Sequence, residues 1–206
     1  LDVTTEAGER RVGITRVHLE EDTGKSTHLG EGGRIGSSGG ALVDFNRAGI
    51  PLMEAVTEPD IRTPEEARAY ARELRAIVLA LGVSDARLEE GSMRFDANVS
   101  LRREDESELG VKVEVKNMNS LRSLQRALAH EIDRQAKILD GGGRITLETR
   151  HWDEEAGRTE VGRSKEESSD YRYFSEPDLV PLVVGEAEVE ALRVDLPELP
   201  VQTRAR

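Results

Sequence analysis

The sequence predicts an α+β fold: a mostly antiparallel sheet with helices packed on one face. Apolar and polar residues alternate over 93–101 and again over 111–116, which is the period of half-buried strands. Apolar residues recur every three or four positions over 63–81 and 120–139, which is the period of amphipathic helices. Runs of strands and helices in this order favour an α+β layer arrangement.

Further strands are predicted at 12–19, at 51–56 as a buried strand, and at 144–152 with 158–163 around a turn. Strands joined by a short connection pair most simply as antiparallel hairpins, so we expect 93–101 to pair with 111–116. We expect strand 12–19 to join the same sheet.

Both helices carry start and stop signals. Thr63 is an N-cap, Pro64 takes the first helical position, and Glu66 completes a capping box. Gly82 is expected to end this helix. For the second helix either Asn119 or Ser120 is the N-cap, and the three glycines at 141–143 stop it.

Composition excludes several classes of protein. The 206 residues carry a net charge of −12 and no cysteine, so a disulfide scaffold and thiolate chemistry are excluded, and a reducing, cytoplasmic setting is expected. No apolar run approaches the roughly 20 residues that cross a membrane, so no membrane partner is expected. The acidic balance disfavours gripping a nucleic-acid backbone by bulk charge, but carboxylates can hold a divalent cation.

The chain begins with Leu1, and we expect it to be a piece of a longer protein. Residues 1–185 are predicted to form one partial domain, within which the glycine-rich stretch 30–40 is a loop. Residues 186–206 are predicted to be a linker toward a further domain, extended over 196–201.

The polar face of the predicted sheet is the first candidate site. It is either an ordinary solvated face or a site for a nucleoside triphosphate with magnesium, because it combines carboxylate and amide oxygens with cations. Its residues are Arg94, Asp96, Asn98, Lys112, Glu114 and Lys116.

Two acidic runs offer further candidates. Glu20, Glu21 and Asp22 either face solvent or share a cation, and Glu89 with Glu90 is either a polar turn or a carboxylate pair that reaches the same sheet face. A phosphate loop is excluded around 24–26, because Leu19 stands where its first glycine is required. The four histidines lack metal-ligand spacing, so a zinc site from histidines alone is not expected.

Six stretches, taken together and in order, resemble the B subunit of the aspartyl/glutamyl-tRNA amidotransferase. They are RVHLEEDTGKSTH (16–28), LVDFNRAGIPLMEAVTEPD (42–60), LEEGSMRFDANVSLR (88–102), VEVKNMNSLRSLQRAL (113–128), ETRHWDEEAGRT (148–159) and RSKEESSDYRYFSEPDL (163–179). The resemblance implies the cradle domain of that subunit, an α+β fold similar to that of glutamine synthetase.

The resemblance also implies a reaction. The family acts on tRNA mischarged with Glu or Asp, and its B subunit phosphorylates the side-chain carboxylate with ATP and magnesium. Ammonia that the glutaminase (A) subunit releases from glutamine then displaces phosphate to give Gln-tRNA or Asn-tRNA, and a small (C) subunit binds the pair. The alternative is a non-catalytic scaffold that docks tRNA and the glutaminase subunit.

Motif position then suggests roles for individual residues. The predicted magnesium ligands are Glu20, Glu21, Glu90 and Asp96. The predicted catalytic residues are Glu20, Glu21, Asp96 and Lys116, and the predicted ATP or phosphate contacts are Lys25, Arg94, Asn98 and Asn117. If Glu20, Glu21, Asp96 and Lys116 converge, the kinase interpretation is favoured over the scaffold.

The chain departs from the family pattern in several places. The resemblance implies an N-terminal segment and a C-terminal helical tRNA-binding domain that these 206 residues do not include, so these residues alone are predicted to be inactive. Phe95 stands where many members have cysteine, and no cysteine zinc site is expected.

Overall fold

A computed structural model describes residues 1–29, 40–164, 180, 183–204 and 206; the side chains of residues 25–29, 163 and 164 are outside this description. The strands are β1 (Asp2–Thr5), β2 (Gly8–Arg11), β3 (Ile14–Glu21), β4 (Lys25–Leu29), β5 (Gly40–Asp44), β6 (Pro51–Thr57), β7 (Ala97–Val99), β8 (Val113–Lys116), β9 (Glu148–Asp153) and β10 (Arg158–Ser164). The helices are α1 (Pro64–Ala80), α2 (Leu121–Asp140), α3 (Glu186–Val194) and α4 (Pro200–Arg204).

The chain divides into two units. The first contains Leu1 and residues 11–61, and the second contains residues 2–10 and 62–206. In the first unit β3 pairs with β6 and β4 with β5, both antiparallel. In the second, four strands form one sheet in the order β10-β9-β8-β7. The architecture is therefore mixed α and β, with several small sheets.

The predicted hairpins are confirmed. β7 pairs with β8, and β9 with β10, both antiparallel, although β7 spans only three residues of the predicted 93–101. β8 and β9 run parallel. A parallel pair needs a crossover connection, and α2 lies between these strands in sequence and supplies it. α2 packs on β7 and β10, as a helix that covers one face of the sheet must.

The prediction that strand 12–19 joins the main sheet is wrong. β3 pairs with β6 over seven register positions, from Ile14 opposite Thr57 to Glu21 opposite Pro51. β6 is a strand as predicted, but it is not buried: Leu52 and Met53 keep 45% and 46% of their surface exposed. Alternation shows that a segment is a strand, but it does not specify which strand it pairs with.

α1 begins as its sequence predicts. The Thr63 hydroxyl accepts from the Glu66 N–H at 3.1 Å, and the Glu66 carboxylate accepts from the backbone N–H of Thr63 and Arg62. Burial raises the pKa of Glu66, but these hydrogen bonds and the Arg10 guanidinium outweigh it, so the pKa lies below the ordinary value. Leu81 is the C-cap, and Gly82 follows with φ +67°.

Ser120 is the N-cap of α2, and its hydroxyl accepts from the Ser123 N–H at 2.9 Å. The side of α2 that packs on the sheet is only partly apolar. Leu124 and Leu128 are buried as expected, but Glu131 and Gln135 are fully buried. Burying a carboxylate in this position requires charged and hydrogen-bonding partners.

Glu131 has these partners. Arg134 donates two hydrogen bonds to it, at 2.7 and 2.9 Å, and Gln135 and Thr159 donate one each, at 2.8 and 3.0 Å. Arg150 of β9 lies 3.7 Å away. The Gln135 amide also donates to the Val99 carbonyl at 3.1 Å. This buried network, centred on Glu131, ties α2 to β7, β9 and β10.

The C-terminal stretch is partly helical. Helices α3 and α4 lie within 186–206, so the extended structure predicted for 196–201 is wrong from Pro200 onward. Arg204 of α4 donates to the Glu73 carboxylate of α1. The predicted glycine loop falls almost entirely on 30–39, outside the described residues. Where the chain is described, no helix is long and apolar enough to cross a membrane.

Candidate functional site

The four-stranded sheet has one covered face and one polar face. Val99, Val113 and Val115 point toward the helices and are buried. Asn98 and Glu114, which alternate with these valines, point to the opposite side, and Lys116 contacts Asp96 and Glu114 there. Thr149 and His151 of β9 join this polar face, because Thr149 is the register partner of Glu114 and His151 that of Lys116.

Lys116 is the centre of this polar face. Its Nζ atom lies 2.7 Å from Oδ2 of Asp96 and 3.5 Å from Oε1 of Glu114. The second carboxylate oxygen of Glu114 accepts from the Thr149 hydroxyl at 3.0 Å. One ammonium and two carboxylates, drawn from neighbouring strands, are therefore held together by direct contacts. About a third of the Lys116 side chain stays exposed, so solutes can reach it.

The two predicted asparagine contacts differ in position. Asn98 is exposed on the polar face, as the register partner of Glu114. Asn117 follows β8 with φ +67°, a left-handed conformation that asparagine tolerates better than most residues. Its side-chain amide donates to the Trp152 carbonyl at 3.0 Å, so this side chain connects β8 to β9.

Arg94 and Glu90 precede β7. Arg94 is exposed and lies two residues before Asp96. The Glu90 carboxylate accepts from Arg87 at 2.7 Å, in an exposed ion pair within the turn. This contact is typical of an ordinary polar turn, and the role of Glu90 as a metal ligand stays a prediction.

The first unit contains a second cluster, formed by His18, Glu20 and Glu54. Nε2 of His18 lies 2.8 Å from Oε1 of Glu20 and 3.7 Å from Oε2 of Glu54. All three ligand atoms lie within 4.8 Å of one another. His18 and Glu20 share one face of β3, and Glu54 is the register partner of His18 on β6. Two carboxylates and one imidazole form a donor set that suits a divalent cation.

The acidic run at 20–22 is divided among different surroundings. Glu20 and Glu21 are adjacent in a strand, so their side chains point to opposite faces, and Glu21 is exposed. The Asp22 carboxylate accepts from the Gly24 N–H at 2.9 Å and from Arg47. Asp22 therefore stabilises the turn after β3.

The proposed convergence of all four catalytic residues stays a prediction. Glu20 and Glu21 belong to the first unit, and Asp96 and Lys116 to the second. Lys25 lies in β4, but its side chain is outside the described residues.

Three members of these clusters have no role in the sequence-based prediction: His18, Glu54 and Thr149. Each is a register partner of a charged residue on a neighbouring strand or shares a face with one. That signal becomes visible only when the strand pairing is known.

Comparison with known proteins identifies the family. The profile of the GatB/GatE catalytic domain matches residues 1–190. The chain belongs to this family. It is 59% identical, over its whole length, to the B subunit of the aspartyl/glutamyl-tRNA(Asn/Gln) amidotransferase of Frankia casuarinae, and 56% identical over 97% of its length to that of Moorella thermoacetica.

The corresponding protein of Thermobifida fusca is 54% identical across the whole chain. The chain spans about two fifths of the length of these curated relatives, 42% of the Frankia casuarinae and Thermobifida fusca proteins and 41% of the Moorella thermoacetica protein. The family predicted from the six motifs is thus confirmed.

Proposed function

We propose that this chain is the phosphorylating part of a tRNA-dependent amidotransferase. Its substrates are Glu-tRNA(Gln) or Asp-tRNA(Asn) and ATP, and its partners are the glutaminase subunit, which supplies ammonia, and the small third subunit. The observation that supports this most directly is the Lys116 cluster: an ammonium between Asp96 and Glu114 on an accessible sheet face. Phosphoryl transfer depends chiefly on placing such charges.

The reaction has two steps. A side-chain carboxylate oxygen of the aminoacyl group attacks the γ-phosphorus of ATP, the bond from that phosphorus to the bridging oxygen breaks, and ADP leaves. Ammonia then attacks the activated carbonyl carbon, and inorganic phosphate leaves as the amide forms. Lys116, with Arg94 and Lys25, would neutralise the negative charge on phosphate oxygens, and Asn98 would donate a hydrogen bond.

Carboxylates supply the oxygen ligands that magnesium prefers. Glu20 and Glu54 offer such ligands within one small cluster of the first unit, and Asp96 offers an exposed one in the second unit. Glu21 and Glu90 remain proposed ligands by motif position. Bound Mg²⁺ would offset phosphate charge and orient the triphosphate. Burial of these side chains is incomplete, so a hydrated ion can enter.

The decisive experiment is Asp96→Asn in the full-length protein, assembled with the glutaminase and small subunits. We expect ADP release that depends on Glu-tRNA(Gln) or Asp-tRNA(Asn) to fall by at least about 100-fold, because the carboxylate that would hold magnesium and that pairs with Lys116 is lost. Glutamine hydrolysis, measured by ammonia release, and assembly, measured by gel filtration, should stay unchanged.

Asp105→Asn is the matched control, because Asp105 is an aspartate in an exposed loop of the same unit. Each mischarged tRNA is tested separately, because the proposal allows either substrate. Normal phosphorylation by the Asp96→Asn variant would contradict the catalytic role.

That outcome would favour the second candidate, a scaffold that docks tRNA and the glutaminase subunit. The observation in its favour is the apolar side of the β3–β6 ribbon, where Val17, Leu19 and Met53 keep 53%, 70% and 46% of their surface exposed. Apolar surface of this kind suits a protein interface. The two candidates differ in whether phosphorylation depends on Asp96, because a scaffold does not itself phosphorylate the substrate.

A further inference from the structure

His151 lies on the polar face beside the Lys116 cluster. It is exposed, and it is the parallel register partner of Lys116 and the antiparallel partner of Glu160. Its neighbour Trp152 points to the covered face, where only 2% of its surface is exposed. The alternation along β9 therefore sets the imidazole on the same side as Lys116 and Glu114.

A glycine on β10 leaves the space that the imidazole occupies. The register of β9 with β10 shifts between Val161 and Arg163, and Gly162 is the residue at the shift. A Cβ atom at Gly162 would lie 2.5 Å from both Cδ2 and Nε2 of His151, closer than real side chains approach. The ring occupies this space because the glycine leaves it open. Bulges of this kind redirect side chains beside functional sites.

This packing orients the ring. Cδ2 and Nε2 are the ring atoms nearest to the Cβ position of Gly162, so Nδ1, on the opposite side of the ring, faces away from that position. The exposed imidazole is the register neighbour of Lys116 on the face that also carries Glu114.

We propose that His151 binds a phosphoryl oxygen of the substrate through Nδ1, adding a hydrogen-bond donor beside the Lys116 ammonium. The inference deepens the proposed function and rests on it. The oxygen belongs either to the triphosphate of ATP or to the acyl phosphate, which share the same chemistry. No proton transfer or covalent step is required of His151, which positions the group that Lys116 neutralises.

The first experiment compares His151→Ala with the parent in the full-length protein, assembled with the glutaminase and small subunits. We expect about a tenfold loss, either in the affinity for Mg-ATP or in the yield of amide per ATP consumed. This is the effect of removing one hydrogen bond to a charged group. Weaker binding of Mg-ATP in calorimetry without tRNA would identify the triphosphate. Unchanged ATP binding with a lower yield of amide per ATP consumed would identify the acyl phosphate.

Glu155→Ala, in the exposed turn between β9 and β10, is the control and should match the parent in both measurements. If both ATP binding and the amide yield of His151→Ala equal those of the parent, the proposal is overturned.

Conservative variants test the ring's orientation and guard against misfolding. His151→Asn places an amide near the position of Nδ1 and should recover most of the loss, whereas His151→Gln, which reaches the position of Nε2, should not. Recovery by Gln rather than Asn would overturn the assignment to Nδ1. Gly162→Ala should displace the ring and lower the same quantity as His151→Ala, either Mg-ATP affinity or amide yield, by about tenfold. It should cause no further loss when His151 is already alanine.

Additive losses in that double variant would also overturn the proposal, since Gly162 would then act independently of the ring. Asp96→Asn separates this inference from the proposed function. If phosphorylation survives Asp96→Asn, the proposed function fails; if it is lost there while His151→Ala behaves as the parent, only the inference about His151 fails.

Discussion

The four-stranded sheet and the β3–β6 ribbon are built from similar strands but are covered differently. Val115 in β8 is fully buried beneath the helices, whereas Val17 in β3 keeps 53% of its surface exposed. Both regions carry charged clusters on an open face. The sheet has a helix, α2, packed against its other face, whereas the other side of the ribbon carries exposed apolar side chains.

The difference shows two uses of charge within one chain. Behind the sheet, Glu131 is buried and its oxygens are occupied by Arg134, Gln135 and Thr159, so its charge serves the fold. On the open face, Asp96 and Lys116 remain accessible, so their charges can serve a ligand. A carboxylate becomes structural or chemical according to which side of the sheet it occupies.

Glu131→Ala is the variant from which we expect the largest loss of stability. We expect about 3–5 kcal/mol loss in the free energy of unfolding, because Arg134 and Arg150 are left as partly buried charges without their central partner. Urea unfolding of the 206-residue chain measures it. Asp133→Ala, an exposed acid on the same helix, should change stability by less than about 0.5 kcal/mol. Equal effects from the two variants would show that the network contributes nothing specific.

A matched pair of valines compares the two regions directly. Val115→Thr buries a hydroxyl among apolar side chains and should cost about 1–3 kcal/mol, whereas Val17→Thr should cost less than about 0.5 kcal/mol. The same urea experiment measures both. A large loss from Val17→Thr would mean that the exposed side of the ribbon contributes to folding as much as the covered sheet does.

Acid should act through the buried network. Burial raises the pKa of Glu131, but hydrogen bonds from Arg134 and Gln135 outweigh it, so the pKa lies below the ordinary 4.5. The folded state then binds fewer protons than the unfolded state, and this stability is present above about pH 4.5 and lost as pH falls through the folded pKa. Unfolding curves from pH 7 to pH 3 should show a smaller acid loss in Glu131→Gln than in the parent.

A smaller effect is expected at the N-cap of α1. Thr63→Ala removes the hydroxyl that accepts from the Glu66 N–H and should cost about 1 kcal/mol. Thr63→Ser keeps that acceptor and should cost only a few tenths. Thermal unfolding of the two variants measures the difference, and equal melting temperatures would contradict the contribution of the cap.

Local features were predictable, although strand bounds were not: β9 begins at Glu148 rather than at the predicted 144. The capping box at Thr63 and the end of α1 at Gly82 are encoded within a few positions, and so is the β9–β10 hairpin around its turn. Pairing across longer distances was not. β3 and β6 are separated by about thirty residues, and alternation alone does not reveal that they are partners.

The candidate site was predictable in the same partial way. The face that carries Asp96 and Lys116 follows from alternation, and the structure brings these two side chains together. Register between strands determines the contact of His18 with Glu54 and that of Glu114 with Thr149. The helical period also described α2 incompletely: it marks the leucines of the stripe, but it gives no sign that Glu131 and Gln135 are buried with them.

The crossover through α2 links ligand binding to the completion of folding. Lys116 and His151 are neighbours only because the chain leaves β8, runs about 30 Å along α2 and returns to β9 in parallel register. Residues so far apart in sequence come into contact late in folding, after the intervening helix has packed on the sheet. A ligand that touches both residues therefore recognises only the finished sheet, so its binding free energy adds to the stability of the whole second unit.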